Sequence, residues 1–179
     1  MPELSARVLK AQDTAVDMVV SEGLVELDGK KFEIVVLEGH SIGQIGVVTE
    51  DNVLFCGDAF FSEEKMEKYP FPFVFDVGAH LKTLEFLLDT NYDCYMISHC
   101  DVPLDNPKSI IRKNIDNINN NLQIILDFLS QPLTREDLTE LIIKKYNIDM
   151  SLSQYFITLS SVGAFLTYLL EKQSINMDI

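Results

Sequence analysis

From Leu24 onward the chain reads as β structure. Leu24-Val25-Glu26-Leu27-Asp28 alternates apolar and polar side chains, the two-residue period of a half-buried strand. Gly29-Lys30-Lys31 predicts a turn and Phe32 to Glu38 a second β-rich run. Ile45 to Thr49 predicts a third strand, Asp51-Asn52 a turn, and Val53 to Cys56 the returning hairpin partner. Ahead of these, Arg7 to Val20 reads as an irregular lead-in or a short helix.

Past Cys56 the pattern changes. Ser62 to Gly78 predicts a loop, because Pro70 and Pro72 interrupt any regular strand or helix there. Its aromatic residues Phe71, Phe73 and Phe75 suit a site wall, a dimer contact or a plug over the core. Leu81, Leu84, Leu87 and Leu88 place a helix over Ala79 to Asp89, and Cys94 to Ser98 reads as a short buried strand. Asn106-Pro107 is a helix start. Ile111, Ile115, Ile118, Leu122, Ile125 and Leu129 carry that helix to about Ser130.

Composition shifts after Pro132. Thr134-Arg135-Glu136-Asp137 resembles a capping box with aspartate in the last position, followed by a helix over Leu138 to Tyr146. Ser151 or Ser153 opens a last helix with Phe156, Leu159, Val162, Leu166 and Leu169 on one face. The expected division is a domain portion over residues 1–131 and a helical extension over 132–179.

Composition narrows the function classes. A chain of 179 residues that is 47% hydrophobic can build a sizeable core. Its net charge of −14 offers no basic footprint for phosphates, so no nucleic-acid partner is expected. No apolar run approaches the length of a membrane span, and Met1 to Arg7 carries no signal-peptide pattern. Three widely spaced cysteines, Cys56, Cys94 and Cys100, form no disulfide framework and fit a reduced, cytoplasmic compartment. The partner expected is a small-molecule substrate, with a homo-oligomer also open.

The candidate chemistry lies at the ends of predicted strands. His40 sits in Gly39-His40-Ser41-Ile42-Gly43, Asp58 follows Gly57, and His99 follows Tyr95-Met96-Ile97-Ser98. Loops at strand ends let side chains distant in sequence converge on one point. Imidazole and carboxylate are donors for zinc, and also for iron or manganese. A bound metal would bring the pKa of its water toward about 7 and supply a nucleophilic hydroxide. Of the other candidates, His80 at a helix start reads as structural or surface, Cys56 and Cys94 as small buried residues. Cys100 forms no catalytic pair with adjacent His99.

The order of these motifs resembles the second half of the metallo-β-lactamase superfamily. That family carries Gly-His-Ser/Thr-x-Gly, a strand hairpin, a Gly-Asp, and a final histidine after a short strand. Here those read Gly39 to Gly43, Gly57-Asp58 and Ser98-His99. The resemblance covers Leu24 to Ser130 well and the tail loosely. It implies an α/β fold: half of an αββα sandwich followed by a small α-helical appendage. It further implies a metal-dependent hydrolase, with zinc the first candidate, whose metal-bound hydroxide attacks an ester, thioester or related bond. His40 would complete a first metal centre, Asp58 would bridge two metals as the catalytic carboxylate, and His99 would close the second centre.

Two departures qualify that expectation. The family's His-x-His-x-Asp-His stretch is absent, since His40, His80 and His99 are the only histidines, and Cys100 stands where glycine is common. The chain therefore reads as the C-terminal part of a longer hydrolase, inactive alone and with a vacant or weakly held metal. A non-catalytic interaction or dimerisation module on the same fold is the alternative. Iron redox chemistry is a third reading.

Overall fold

The computed structural model describes residues 15–149 and 151–177, so most of the Arg7 to Val20 lead-in lies outside the described residues. Five strands form one sheet in sequence order: β1 (Gly23–Leu27), β2 (Lys30–Val36), β3 (Ile45–Val48), β4 (Val53–Gly57) and β5 (Cys94–Ile97). The first four make an antiparallel meander, while β5 pairs parallel to β4. The β1–β2 turn is tighter than the sequence predicts. Leu27 pairs with Lys30, and the two residues between, Asp28 and Gly29, both have positive φ. Such a turn matches the twist of the flanking strands, so Lys30 and Lys31 belong to β2.

The parallel crossover from β4 to β5 runs through α1 (Glu63–Lys68) and α2 (Val77–Asp89). The expected loop over Ser62 to Gly78 therefore contains a helix, capped by the Ser62 hydroxyl accepting from Lys65 N–H. Asp76 caps α2 in the same way, two residues earlier than the sequence suggests. Three more helices follow, α3 (Lys108–Phe128), α4 (Arg135–Tyr146) and α5 (Leu152–Glu171). Thr134 and Ser151 cap the last two through their hydroxyls. Among the described residues no helix is long and apolar enough to cross a membrane.

Two apolar clusters hold these layers together. In the first, Val35, Leu37, Val48, Leu54, Cys56, Tyr95 and Ile97 from one face of the sheet pack on Leu84 and Leu87 of α2 and Ile111 of α3. In the second, Phe71 and Val74 from the crossover meet Ile118 and Ile125 of α3, Leu138 of α4 and Phe165 of α5. The aromatic loop thus plugs the seam beneath the helical tail: Phe71 stacks on both Tyr146 and Phe165.

Among the described residues, the first cluster takes its sheet residues from one face only. From Phe32 on, β2 to β5 direct only apolar side chains and Gly57 to the opposite one. Register aligns Ile34, Val47, Phe55 and Met96 in one row across four strands. Val36, Ile45 and Phe55 on this face are exposed, whereas Ile34 is buried.

Candidate metal centre

Topology brings the three predicted residues together. Because β2 and β4 are each antiparallel to β3, and β5 is parallel to β4, all three run in one direction. The loops carrying His40, Asp58 and His99 follow β2, β4 and β5, so they leave the same end of the sheet. In open α/β sheets the carboxyl ends of the strands are where ligands collect.

His40 is held on several sides. Gly39 has φ +125°, and a Cβ there would lie 2.3 Å from the His80 Cα, so only glycine lets the chain pass this close. The Gly39 carbonyl accepts from the N–H groups of Phe75 and Asp76, pinning the aromatic loop beside His40. The His40 ring then meets the rings of Phe61 and Phe73 edge-on, with centroids 5.9 and 5.2 Å away. Its Nδ1 lies 3.1 Å from the Phe73 carbonyl oxygen. A carbonyl can only accept, so Nδ1 carries a proton, and Nε2 is the ring nitrogen left for another partner.

That nitrogen faces a carboxylate. His40 Nε2 is 3.8 Å from Asp58 Oδ2, and His99 Nε2 is 3.7 Å from Asp58 Oδ1. Asp58 follows a register shift between Phe55 and Gly57, and Gly57 has φ +58°. Ser98 N–H donates to the Gly57 carbonyl across 2.8 Å, tying the His99 loop to the Asp58 loop. His99 itself has φ +60°, a conformation that non-glycine residues adopt at a cost and that clusters at functional sites. Its side chain is 60% exposed, whereas those of His40 and Asp58 are 21% and 30% exposed.

The donor types suit a cation, and their number does not complete a site. Both gaps across Asp58 exceed a hydrogen bond, and each sets an imidazole nitrogen opposite a carboxylate oxygen, with room for a cation between them. A metal-bound histidine usually donates its other N–H to a carbonyl or carboxylate, as His40 does to Phe73. Yet Asp58 spends one oxygen on each histidine, so each position has two donors, below the three protein ligands of a catalytic zinc. Among the described residues no group of three or more His, Cys, Asp and Glu side chains is arranged to hold an ion.

Sequence reasoning leaves His80 as structural or surface, and it is structural. His80 is 1% exposed at the base of α2, and its Nδ1 has no hydrogen-bond partner. Burial, and secondarily nearby His40, push its pKa down to about 4. Cys56 is buried in the sheet core, where burial and then Cys94 push its thiol up to about 12, so it is inert there. Cys94 is only half-buried.

No known protein-family profile matches the chain, and no curated protein matches it either. Solved structures do match. A metallo-beta-lactamase family protein from Thermus thermophilus superposes with TM-score 0.74 at 18% identity, covering 99% of this chain. The chain has the metallo-β-lactamase fold. A Beta-lactamase domain protein from Burkholderia ambifaria superposes with TM-score 0.67 at 16% identity, covering 97% of this chain. The chain spans 62% of the first protein's length and 52% of the second's. At such identities the likeness carries the fold, and the reading of activity rests on the site.

Proposed function

We propose that this chain supplies the His40–Asp58–His99 part of a metal-dependent hydrolytic centre, with zinc the preferred ion. The observation that carries the proposal is the placement of the His40 ring. With Nδ1–H committed to Phe73, Nε2 stands opposite a carboxylate oxygen 3.8 Å away, an arrangement suited to an ion between them. In such a centre the ion supplies a Lewis acid and an activated water. The chain's own residues position the parts. Phe61 and Phe73 fix the His40 ring, Asp58 faces both histidines, and the His99 loop is fastened to β4. Donors from outside this set complete the coordination.

The substrate class proposed is a small ester or thioester bound near the aromatic loop, where Phe61 and Phe73 are half-buried and Phe75 is exposed. The net charge of −14 speaks against nucleic acid, and three free thiols support a reducing, cytoplasmic setting.

Equilibrium dialysis against zinc, with metal analysis of the retained protein, tests the metal reading. Wild type should retain zinc, His40→Ala and His99→Ala less, and Asp58→Asn least, because Asp58 serves both positions. Equal retention by wild type and Asp58→Asn would refute the assignment.

A further inference from the structure

We propose that Ser161, in the helical tail, is a positioning residue for His40 and acts on it through one peptide plane. The inference rests on the reading of His40 as a site residue. The plane is that of the Phe73–Val74 bond. Its carbonyl oxygen lies 3.1 Å from His40 Nδ1. Its N–H, on the opposite edge, donates to Ser161 Oγ across 3.4 Å. A trans peptide is planar, with C=O and N–H pointing opposite ways. A rigid unit held at one edge is aimed at the other. The tail thereby directs the carbonyl that His40 meets.

The surroundings of Ser161 suit that task. Ser161 is 1% exposed and Val74 fully buried, so water does not compete for the bond. The Ser161 hydroxyl donates one turn back along α5, to the Ile157 carbonyl at 3.2 Å. That leaves a lone pair on Oγ for the Val74 N–H. Phe73 and Val74 lie outside any helix or strand, so no ladder holds their peptide in place. Without the Ser161 oxygen a buried main-chain donor loses its partner, and the plane is free to turn toward another.

The flanks of this unit are fastened separately. Upstream, the Pro70 carbonyl accepts from the side-chain amides of Asn117 and Asn121, each at 3.0 Å. Asn121 Oδ1 in turn accepts from the Tyr146 hydroxyl at 2.7 Å. Downstream, Phe75 and Asp76 are tied to the Gly39 carbonyl. These contacts set where the aromatic loop lies, and Ser161 sets how the Phe73 carbonyl is turned. Apolar packing would close the seam without a hydroxyl. The hydroxyl adds direction, which a carbonyl facing an imidazole requires.

Long-range nitrogen–proton correlation of the histidine rings tests this on the isotope-labelled full chain before zinc is added. The measurement is made at about pH 8, where ordinary imidazoles are neutral. His40→Ala and His99→Ala assign the three ring patterns. Wild type should hold the His40 proton on Nδ1, and its Val74 amide should exchange with water as slowly as the amides of α5. Ser161→Ala should lower the ratio of Nδ1–H to Nε2–H at His40 about fivefold, the effect of losing one ordinary hydrogen bond. Ser161→Thr, which keeps the oxygen, should restore the ratio. Thr158→Ala removes another buried, back-bonded hydroxyl of the same helix and should leave it unchanged. An unchanged ratio in Ser161→Ala, or equal falls in Ser161→Ala and Thr158→Ala, overturns the proposal. So does a fast-exchanging Val74 amide in wild type, a result that needs no variant to fold. Zinc retention is read apart from this: a chain that keeps the Ser161 response but takes up no zinc overturns the metal reading alone.

Discussion

Gly39 and His80 meet main chain to main chain, so that a Cβ added to Gly39 would fall 2.3 Å from both the Cα and the N of His80. The contact sets where β2 ends and how His40 leaves it. Gly39→Ala meets this clash and a φ of +125° together, and should cost roughly 3–5 kcal/mol of stability. Urea unfolding of the variant checks the number. Gly43→Ala, with open space around its Cβ position, should cost less.

His80 gives the fold an acid-sensitive point. Its pKa is about 4 in the folded chain against 6.5 unperturbed, so the unfolded chain binds this proton more readily. Stability from this group is present above pH 6.5 and is lost as pH falls from 6.5 toward 4. The full difference is about 3 kcal/mol. Chemical denaturation at neutral and mildly acidic pH should show a smaller acid-induced loss for His80→Leu than for wild type.

Asn114 of α3 treats Phe61 as a strand partner. Its Oδ1 accepts from the Phe61 N–H and its Nδ2 donates to the Phe61 carbonyl, both at 2.9 Å. Asn114→Ala leaves both main-chain groups without partners and should cost about 2–4 kcal/mol. Because the Phe61 ring rests against His40, the variant should also weaken zinc retention, measured by dialysis, although Asn114 is no ligand.

Phe71 joins the crossover to the helical tail by stacking on Tyr146 and Phe165. Phe71→Ala should lower stability by about 3–5 kcal/mol. Hydrogen exchange should show the loss first in α4 and α5, since Leu138 and Phe165 share that cluster. An evenly distributed loss would show that the tail and the sheet unfold as one.

The site is legible in the sequence where it depends on the order of strands and loops. His40, Asp58 and His99 each follow a recognisable β run, and the antiparallel and parallel pairings send those loops to one end. What fixes His40 is not legible, because the Phe73 carbonyl is main chain and leaves no mark on residue type. Helix α1 escapes the pattern for a related reason. It is six residues long and buries nothing, so it has no apolar period to read; only the Ser62 cap and acidic Glu63 and Glu64 announce it. The open face does carry a signal. Ile45-Gly46-Val47-Val48 and Val53 to Cys56 are continuously apolar, the mark of strands meant for burial on both faces.

The register shift in β4 has a consequence for anyone redesigning this strand. Phe55 faces Met96 while Gly57 faces Ile97, so Cys56 is a supernumerary step that sets Asp58 level with Ser98. Straightening the ladder with Cys56 kept, so that Cys56 faces Ile97, would slide the carboxylate by about one residue rise, some 3.3 Å along β5. That displacement is nearly the whole span now separating Asp58 from each imidazole. The irregularity is the gauge block of the centre, and straightening it would tidy the sheet while dismantling the alignment it serves.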